Sequence, residues 1–202
     1  VLAHWLRLGA DGYRLDVVDE LPDAFLARLR KRLRELKPDA ILIGEVWEDA
    51  SNKVAYGVRR RYLTGRQLNS VMNYPWQKAI LRYVCGEDGG EQLGERIMTI
   101  AENYPSDVLS AVMNILSTHD TPRALTALVD PTDAGRAELA RRHMDAPTRS
   151  RALHLLRMAA FLQFMLPGAP CIYYGDEAGM DGYRDPFNRE FDPWGAEDEP
   201  LQ

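Results

Sequence analysis

The sequence Gly-Tyr-Arg-Leu-Asp occupies residues 12–16, and it is the most informative stretch about the fold because it alternates in polarity and ends on an acid. The arrangement recurs twice: Gly44–Trp47 carries Glu45, and Ser117–Asp120 ends on Asp120, each directly after an apolar run. Alternating runs and short apolar runs predict β-strands. Acids at the carboxyl ends of successive parallel strands are typical of the active site of a (β/α) barrel.

Strand-like runs and helical segments alternate along the chain. The predicted strands are Gly12–Val17, Ile41–Gly44, Leu68–Asn73, Ala111–Leu116 and Cys171–Tyr174. This alternation predicts an α/β protein with a parallel sheet. A complete (β/α)8 barrel takes roughly 250 residues, and the chain has 202. We therefore expect residues 1–202 to be the C-terminal part of one catalytic barrel domain, roughly strands 4 to 8, without the first strands and any accessory domains.

The composition is that of an ordinary folded domain, with 46% hydrophobic residues and a net charge of −5. The negative charge argues against nucleic acid or an anionic membrane as a partner. No apolar run approaches the roughly 20 residues that a membrane span needs. Two cysteines, Cys85 and Cys171, indicate a reducing compartment. We expect a cytoplasmic protein, with secretion as the alternative.

Arg14 and Asp16 lie two residues apart on the first predicted strand, so their side chains leave the same face. A guanidinium a few ångströms from a carboxylate keeps that carboxylate ionised. A carboxylate nucleophile needs this, whereas a structural ion pair at a strand end is the alternative interpretation.

Glu45 follows the second predicted strand and is close in sequence to an indole, that of Trp47. A carboxyl group at the mouth of an apolar strand is suited to donate a proton to a leaving oxygen, and Trp47 could stack on a sugar face. An exposed Glu beside a core Trp is the alternative.

His119 and Asp120 follow the fourth predicted strand, where they could bind sugar hydroxyls, although Asp120 could equally be a helix cap. No spacing of His or Cys residues indicates a metal site. Taken together, the acids at the three strand ends are the equipment for cleaving a glycosidic bond.

Three motifs resemble, in order, the second, third and fourth short motifs of the α-amylase family of glycoside hydrolases: Gly12–Asp16, Ile43–Trp47 and Ser117–Arg123. Two further stretches, Met72–Pro75 and Gly168–Glu177, are similar to its neopullulanase, cyclomaltodextrinase and maltogenic amylase branch. The segment Asp185–Arg189 is similar to a related loop after the eighth strand of that family.

The resemblance implies retaining cleavage of α-1,4 glucosidic bonds, with α-1,6 bonds as a further candidate, in maltodextrins, cyclodextrins or pullulan. It implies Asp16 as nucleophile, Glu45 as acid/base and Asp120 as stabiliser of the transition state. Arg14, His119 and Trp47 would bind substrate or orient these acids.

The implied partner is an α-glucan oligosaccharide. No redox or nucleotide cofactor is implied, and calcium is compatible with a full-length enzyme, although no ligands for it are identified in this chain. The chain alone is expected to be inactive, and open strand edges would favour a homo-oligomer.

Two departures from the family pattern stand out. The first motif of the family would lie upstream of Val1, and Glu48 stands where this branch often has a histidine. Three alternatives stay open: a transglycosylase, an isomerase on the same barrel, and a non-catalytic binding subunit.

Overall fold

The computed structural model describes residues 1–198 and Leu201. Contacts between residues divide the chain into two compact units. The first unit comprises residues 1–75, 96–114 and 167–169, and the second comprises residues 76–95, 115–166 and the chain from residue 170 onward.

Short strands and helices alternate along the described chain. The helices are α1 (Leu2–Arg7), α2 (Asp23–Leu36), α3 (Tyr74–Val84), α4 (Gly90–Asn103), α5 (Ser106–Leu109), α6 (Ala124–Ala127), α7 (Arg136–Leu139) and α8 (Ala146–Met165), with a 3₁₀ turn at Val18–Glu20. The strands are β1 (Gly12–Leu15), β2 (Ile41–Gly44), β3 (Val54–Ala55), β4 (Val58–Arg59), β5 (Ser70–Val71), β6 (Met113–Asn114) and β7 (Ala169–Pro170). None of these helices combines the length and the apolar character that a membrane span requires.

A parallel sheet in the order β1-β2-β5 forms the centre of the first unit. A parallel bridge between Met72 and Met113 extends the pairing from β5 to β6. Because parallel strands end at the same edge, the residues that follow β1, β2 and β5 lie along one edge of this sheet. The predicted parallel α/β arrangement is therefore present.

Helix α2 buries leucines on one face, and β2 buries one as well. Leu26 and Leu33 are fully buried, as is Leu42 in β2. Each such side chain contributes about 1.5–3 kcal/mol when buried completely. Phe25 of the same helix is 42% exposed.

The last predicted strand is displaced in the structure. Pairing occurs at Ala169–Pro170, where the Ala169 N–H donates to the Val112 carbonyl at 2.8 Å, and Cys171–Tyr174 forms no strand. Pro170 has no N–H to continue a ladder. The Cys171 carbonyl instead accepts a hydrogen bond from the Gln163 side chain at 3.1 Å. The prediction of a strand at Cys171–Tyr174 was therefore wrong by two residues.

The polar stretch Glu48–Gln67, to which the sequence assigned no element, contains an antiparallel hairpin of β3 and β4. Tyr56 and Gly57 form its two-residue turn with φ of 54° and 73°. Positive φ at both central residues is the conformation that matches the twist of a tight hairpin.

The second unit packs α8 against α3 and α6 around a core that includes Ile80, Leu125 and Leu156. Helix α8 begins at Ala146 and runs for 20 residues. The Asp145 carboxylate accepts the Thr148 N–H at 2.8 Å, and this cap places the start of the helix.

Candidate active site

Asp16 and Glu45 directly follow two paired strands of the first unit. Leu15 in β1 is the register partner of Gly44 in β2, and the Glu45 N–H donates to the Leu15 carbonyl at 3.0 Å. The sheet therefore places the two acidic residues side by side at its carboxyl edge, as expected from the motifs.

Arg14 joins the two carboxylates. Its Nη1 lies 2.5 Å from Asp16 Oδ1, and its Nη2 lies 3.2 Å from Glu45 Oε2. The guanidinium is itself held in place by a contact of 3.3 Å between its Nε and the Met72 sulfur. One cation thus bridges the two acids.

The two carboxylates have different surroundings. The Asp16 side chain is 66% exposed, whereas that of Glu45 is 5% exposed. An exposed carboxylate is accessible to the carbon that a nucleophile attacks, while a buried carboxyl group with fixed hydrogen-bond partners keeps the defined orientation that a proton donor needs. The difference matches the two roles that a retaining glycosidase needs.

Two N–H groups donate hydrogen bonds to Glu45, in addition to its ion pair with Arg14. The Val17 backbone N–H donates to Oε2 at 2.9 Å, and the Trp47 indole N–H donates to Oε1 at 3.1 Å. Val17 has φ of 43°, in the left-handed region that a β-branched residue rarely occupies. The backbone therefore turns sharply after Asp16, and this turn directs an N–H at Glu45.

One face of the Trp47 indole is covered. The Tyr74 ring stacks on it with centroids 4.3 Å apart and planes inclined by 9°. The side chain of Trp47 is 37% exposed, so the uncovered part of the ring is available to a ligand.

His119 and Asp120 belong to the second unit, where they contact each other. His119 Nε2 lies 3.0 Å from Asp120 Oδ2, and Arg189 Nη2 lies 3.7 Å from Asp120 Oδ1. Asp120 caps no helix, because α6 begins at Ala124 with Arg123 as its cap residue. The helix-cap interpretation was therefore wrong.

The loop that carries His119 is held by a single buried amide. Asn188 is fully buried, and its Nδ2 donates to the carbonyls of His119 at 2.9 Å and Thr121 at 2.8 Å, with the Thr118 carbonyl at 3.3 Å. The segment Asp185–Arg189 was noted in the sequence, but the role of Asn188 follows only from these contacts.

A buried ion pair joins Asp176 to Arg123, which follows this loop in the sequence. Asp176 accepts a hydrogen bond from the Ser117 hydroxyl and lies 3.4 Å from Arg123 Nη1. Arg123 is completely buried, with its guanidinium 4.8 Å from the ring centroids of both Tyr173 and Tyr174. Burial raises the pKa of Asp176 to about 6, and the pairing with Ser117 and Arg123 opposes that rise.

Across residues 1–198 and Leu201, no group of three or more His, Cys, Asp or Glu side chains is placed to hold a metal ion. The described residues thus offer no cluster of acids that fits calcium. Cys85 and Cys171 are both free thiols, and burial raises the pKa of each.

Known proteins match this chain over nearly its whole length. The profile of the family described as "Alpha amylase, catalytic domain" matches residues 1–199. An amylopullulanase of Thermoanaerobacter thermohydrosulfuricus is 37% identical over 98% of this chain and 14% of its own length. A cyclomaltodextrinase of Geobacillus thermopakistaniensis is 34% identical over 98% of this chain and 29% of its own length. The chain therefore spans less than a third of these relatives.

Solved structures agree with the sequence matches. The cyclic α-maltosyl-(1→6)-maltose hydrolase of Arthrobacter globiformis, in complex with maltose, superposes with a TM-score of 0.79 at 26% identity, over 99% of this chain and 40% of that one. The type III pullulan hydrolase of Thermococcus kodakarensis superposes with a TM-score of 0.79 at 30% identity, over 98% of this chain and 32% of that one. These matches confirm the predicted fold class, an α/β protein that forms part of a (β/α)8 barrel.

Proposed function

Because the chain belongs to the α-amylase family, as its motifs predicted, we propose that it is part of the catalytic barrel of a retaining glycoside hydrolase. Its substrates would be the α-1,4, and also the α-1,6, glucosidic bonds of maltodextrins, cyclodextrins or pullulan. The names of the relatives, amylopullulanase and cyclomaltodextrinase, support these substrate classes. The observation that carries the proposal is the pair of unlike carboxylates, Asp16 and Glu45, bridged by Arg14 at adjacent strand ends.

In this mechanism Asp16 attacks the anomeric carbon of the sugar. The Arg14 guanidinium holds one side of the Asp16 carboxylate, and the exposure of Asp16 leaves the other side open to substrate. Glu45 gives its proton to the leaving oxygen as the glycosidic bond breaks and a bond to Asp16 forms. Glu45 then takes a proton from water, which attacks the glycosyl-enzyme and releases Asp16.

The remaining site residues would contact sugar. His119 and Asp120 would bind hydroxyl groups of the sugar ring that distorts as its glycosidic bond is cleaved. Arg189 forms an ion pair with Asp120. Trp47 would offer its uncovered indole surface to a glucose ring, since aromatic faces stack on apolar sugar faces and Tyr74 covers the other side.

The test is turnover by the enzyme that contains this segment. Asp16→Asn and Glu45→Gln should each remove nearly all release of sugar from maltooligosaccharides, β-cyclodextrin and pullulan, with unchanged circular dichroism. Asp11→Asn and Glu35→Gln are matched controls, because both acids are exposed and their ion-pair partners, Lys37 and Arg32 respectively, are not site residues. Retention of a tenth of the activity by both site variants would refute the assignment.

Product analysis also separates hydrolysis from sugar transfer. Both use the same glycosyl-enzyme, so only the ratio of hydrolysed to elongated products distinguishes them. Nothing in the contacts favours the transferase, the isomerase or the non-catalytic alternative.

Two further expectations are part of the proposal. The free thiols of Cys85 and Cys171 support a reducing, cytoplasmic location, which fractionation of the source cells would test. Association into a homo-oligomer would be measured by sedimentation of the complete enzyme.

A further inference from the structure

The sharp backbone turn after Asp16 raises the question of what holds it. Val17 occupies the left-handed region, which a β-branched residue adopts only where its surroundings enforce it. The turn directs the Val17 N–H at Glu45 Oε2, so whatever fixes the turn also fixes this hydrogen bond.

The guanidinium of Arg60 binds the backbone of this turn. Its Nη2 lies 3.3 Å from the Val18 carbonyl and also donates to the Leu21 carbonyl, while its Nη1 lies 3.4 Å from the Asp19 carbonyl. Its Nε is paired with Asp23 Oδ1 at 3.2 Å. One guanidinium thus contacts the backbone at both ends of the 3₁₀ turn.

Arg60 is itself held rigidly. Its side chain is 7% exposed, and the guanidinium lies 5.1 Å from the Tyr62 ring centroid. The hairpin of β3 and β4 positions the Arg60 backbone, because the Arg60 N–H, directly after β4, donates to the carbonyl of Lys53, directly before β3, at 2.8 Å.

The hairpin is attached to the same turn by further side chains. Lys53 Nζ lies 3.1 Å from Asp19 Oδ2 and also pairs with Glu48. The Tyr62 hydroxyl donates to Asp19 Oδ1 at 2.5 Å. These bonds keep Asp19, and hence the turn, in one position relative to Arg60.

We propose that Arg60 is a positioning residue for the acid/base step: it holds the Val18–Glu20 turn so that the Val17 N–H keeps Glu45 aligned for proton transfer. The inference rests on the proposed function of Glu45 and adds a specific residue, outside the family motifs, on which that function depends. It assigns the hairpin of β3 and β4 a role in catalysis although neither strand carries a reacting group.

The test compares two substrates that differ in their need for acid. The sugar that leaves from a maltooligosaccharide is a poor leaving group unless Glu45 protonates its oxygen, so that it departs as an alcohol, whereas the fluoride of α-maltosyl fluoride departs as fluoride ion with little need for protonation. In the complete enzyme, Arg60→Gln should lower kcat/KM for maltotetraose on the order of 10–100-fold, a part of the roughly 10²–10⁴-fold that a positioned acid contributes. The loss of kcat/KM for α-maltosyl fluoride should be no more than a few-fold.

Matched controls are available one residue away on either side. Arg59→Gln and Arg61→Gln change the same side chain at exposed positions and should leave both values of kcat/KM unchanged. Arg60→Lys retains the charge but not the fork of donors, so it should show a smaller loss with the same substrate dependence. If Arg60→Gln does not fold, the two substrates are compared with Arg60→Lys instead.

Three outcomes would overturn the inference. Equal losses on the two substrates would show that Arg60 supports the fold alone, and activity equal to that of Arg59→Gln would show no role at all. A native enzyme that turns over neither substrate would refute the proposed function, and with it this inference.

Discussion

Gly44 has no room for a side chain, and this makes Gly44→Ala a sharp test of the packing beneath the candidate acid. A Cβ at this position would lie 2.5 Å from Leu68 Cδ1, and 3.1 and 3.3 Å from the two methyl carbons of Val18. Carbon atoms that are not bonded prefer separations of about 3.5–4.0 Å. Leu68 is 2% exposed and Val18 is fully buried, so neither side chain can move into solvent.

Two effects of Gly44→Ala oppose each other. Overpacking in a filled core costs typically about 1–3 kcal/mol. Replacing glycine with alanine restricts the unfolded chain, which stabilises by about 0.4–1 kcal/mol where the native backbone allows it. The clash is the larger effect, and we expect a net loss of about 1–2 kcal/mol in the free energy of unfolding.

Urea-induced unfolding, followed by circular dichroism, measures this loss. Gly94→Ala is the matched control, because Gly94 lies in α4 where an added Cβ would have no atom within 4 Å, and helix propensity predicts stabilisation of about 0.5–1 kcal/mol there. In the double variant Gly44→Ala/Leu68→Ala the new methyl occupies space that Leu68 vacates, so the two losses should not add. A fully additive double variant, or Gly44→Ala as stable as the native chain, would refute the reasoning.

Three further predictions concern stability. Burial raises the pKa of Asp176 from 3.8 to about 6. Its contribution to the free energy of unfolding is therefore fully present below about pH 4 and falls by up to about 3 kcal/mol as the pH rises through 6. Urea titrations of Asp176→Asn at pH values between about 4 and 6 should lack this pH dependence. Asp145→Ala removes the acceptor for the Thr148 N–H and should cost about 1 kcal/mol, seen as a lower Tm. Tyr104→Phe removes the hydroxyl that accepts the Ala50 N–H at 3.1 Å, so it should cost about 1–3 kcal/mol and speed hydrogen exchange of that amide.

Each of these predictions has a contrary outcome. An unchanged pH slope in Asp176→Asn would mean that another group titrates. Asp133→Ala, at a fully exposed carboxylate, is the control for Asp145→Ala, and equal Tm values for the two variants would exclude a cap effect. Unchanged exchange of the Ala50 amide in Tyr104→Phe would show that this hydrogen bond does not protect it.

The strands that carry the candidate site were predictable because their signal is local. Gly12–Leu15 alternates and Ile41–Gly44 is continuously apolar, and both strands form within the predicted bounds. The two acids beside them were recognisable as members of short motifs. The strand near Cys171 was misplaced because pairing there depends on a contact with Val112, which no local pattern reveals.

Other features depend on contacts between distant parts of the chain. A positive φ at Val17 contradicts the preference of a β-branched residue, so the sequence predicts an extended conformation there. Arg60 stands between two exposed arginines in an identical local context, and only the fold distinguishes it. The hairpin had a local signal in Tyr56-Gly57 between two valines, but the surrounding charges obscured it.

Asn188 has a consequence for the chemical ageing of the protein. Its amide nitrogen faces three carbonyl oxygens of the His119 loop, and hydrolysis of that amide would replace two donor hydrogens with a carboxylate. The product is nearly the same size, yet its carboxylate would repel the three carbonyl oxygens that the amide nitrogen now binds. Complete burial shields the amide from water, so the amide and the loop that it binds are preserved while the protein stays folded. A preparation stored under unfolding conditions should lose the amide irreversibly.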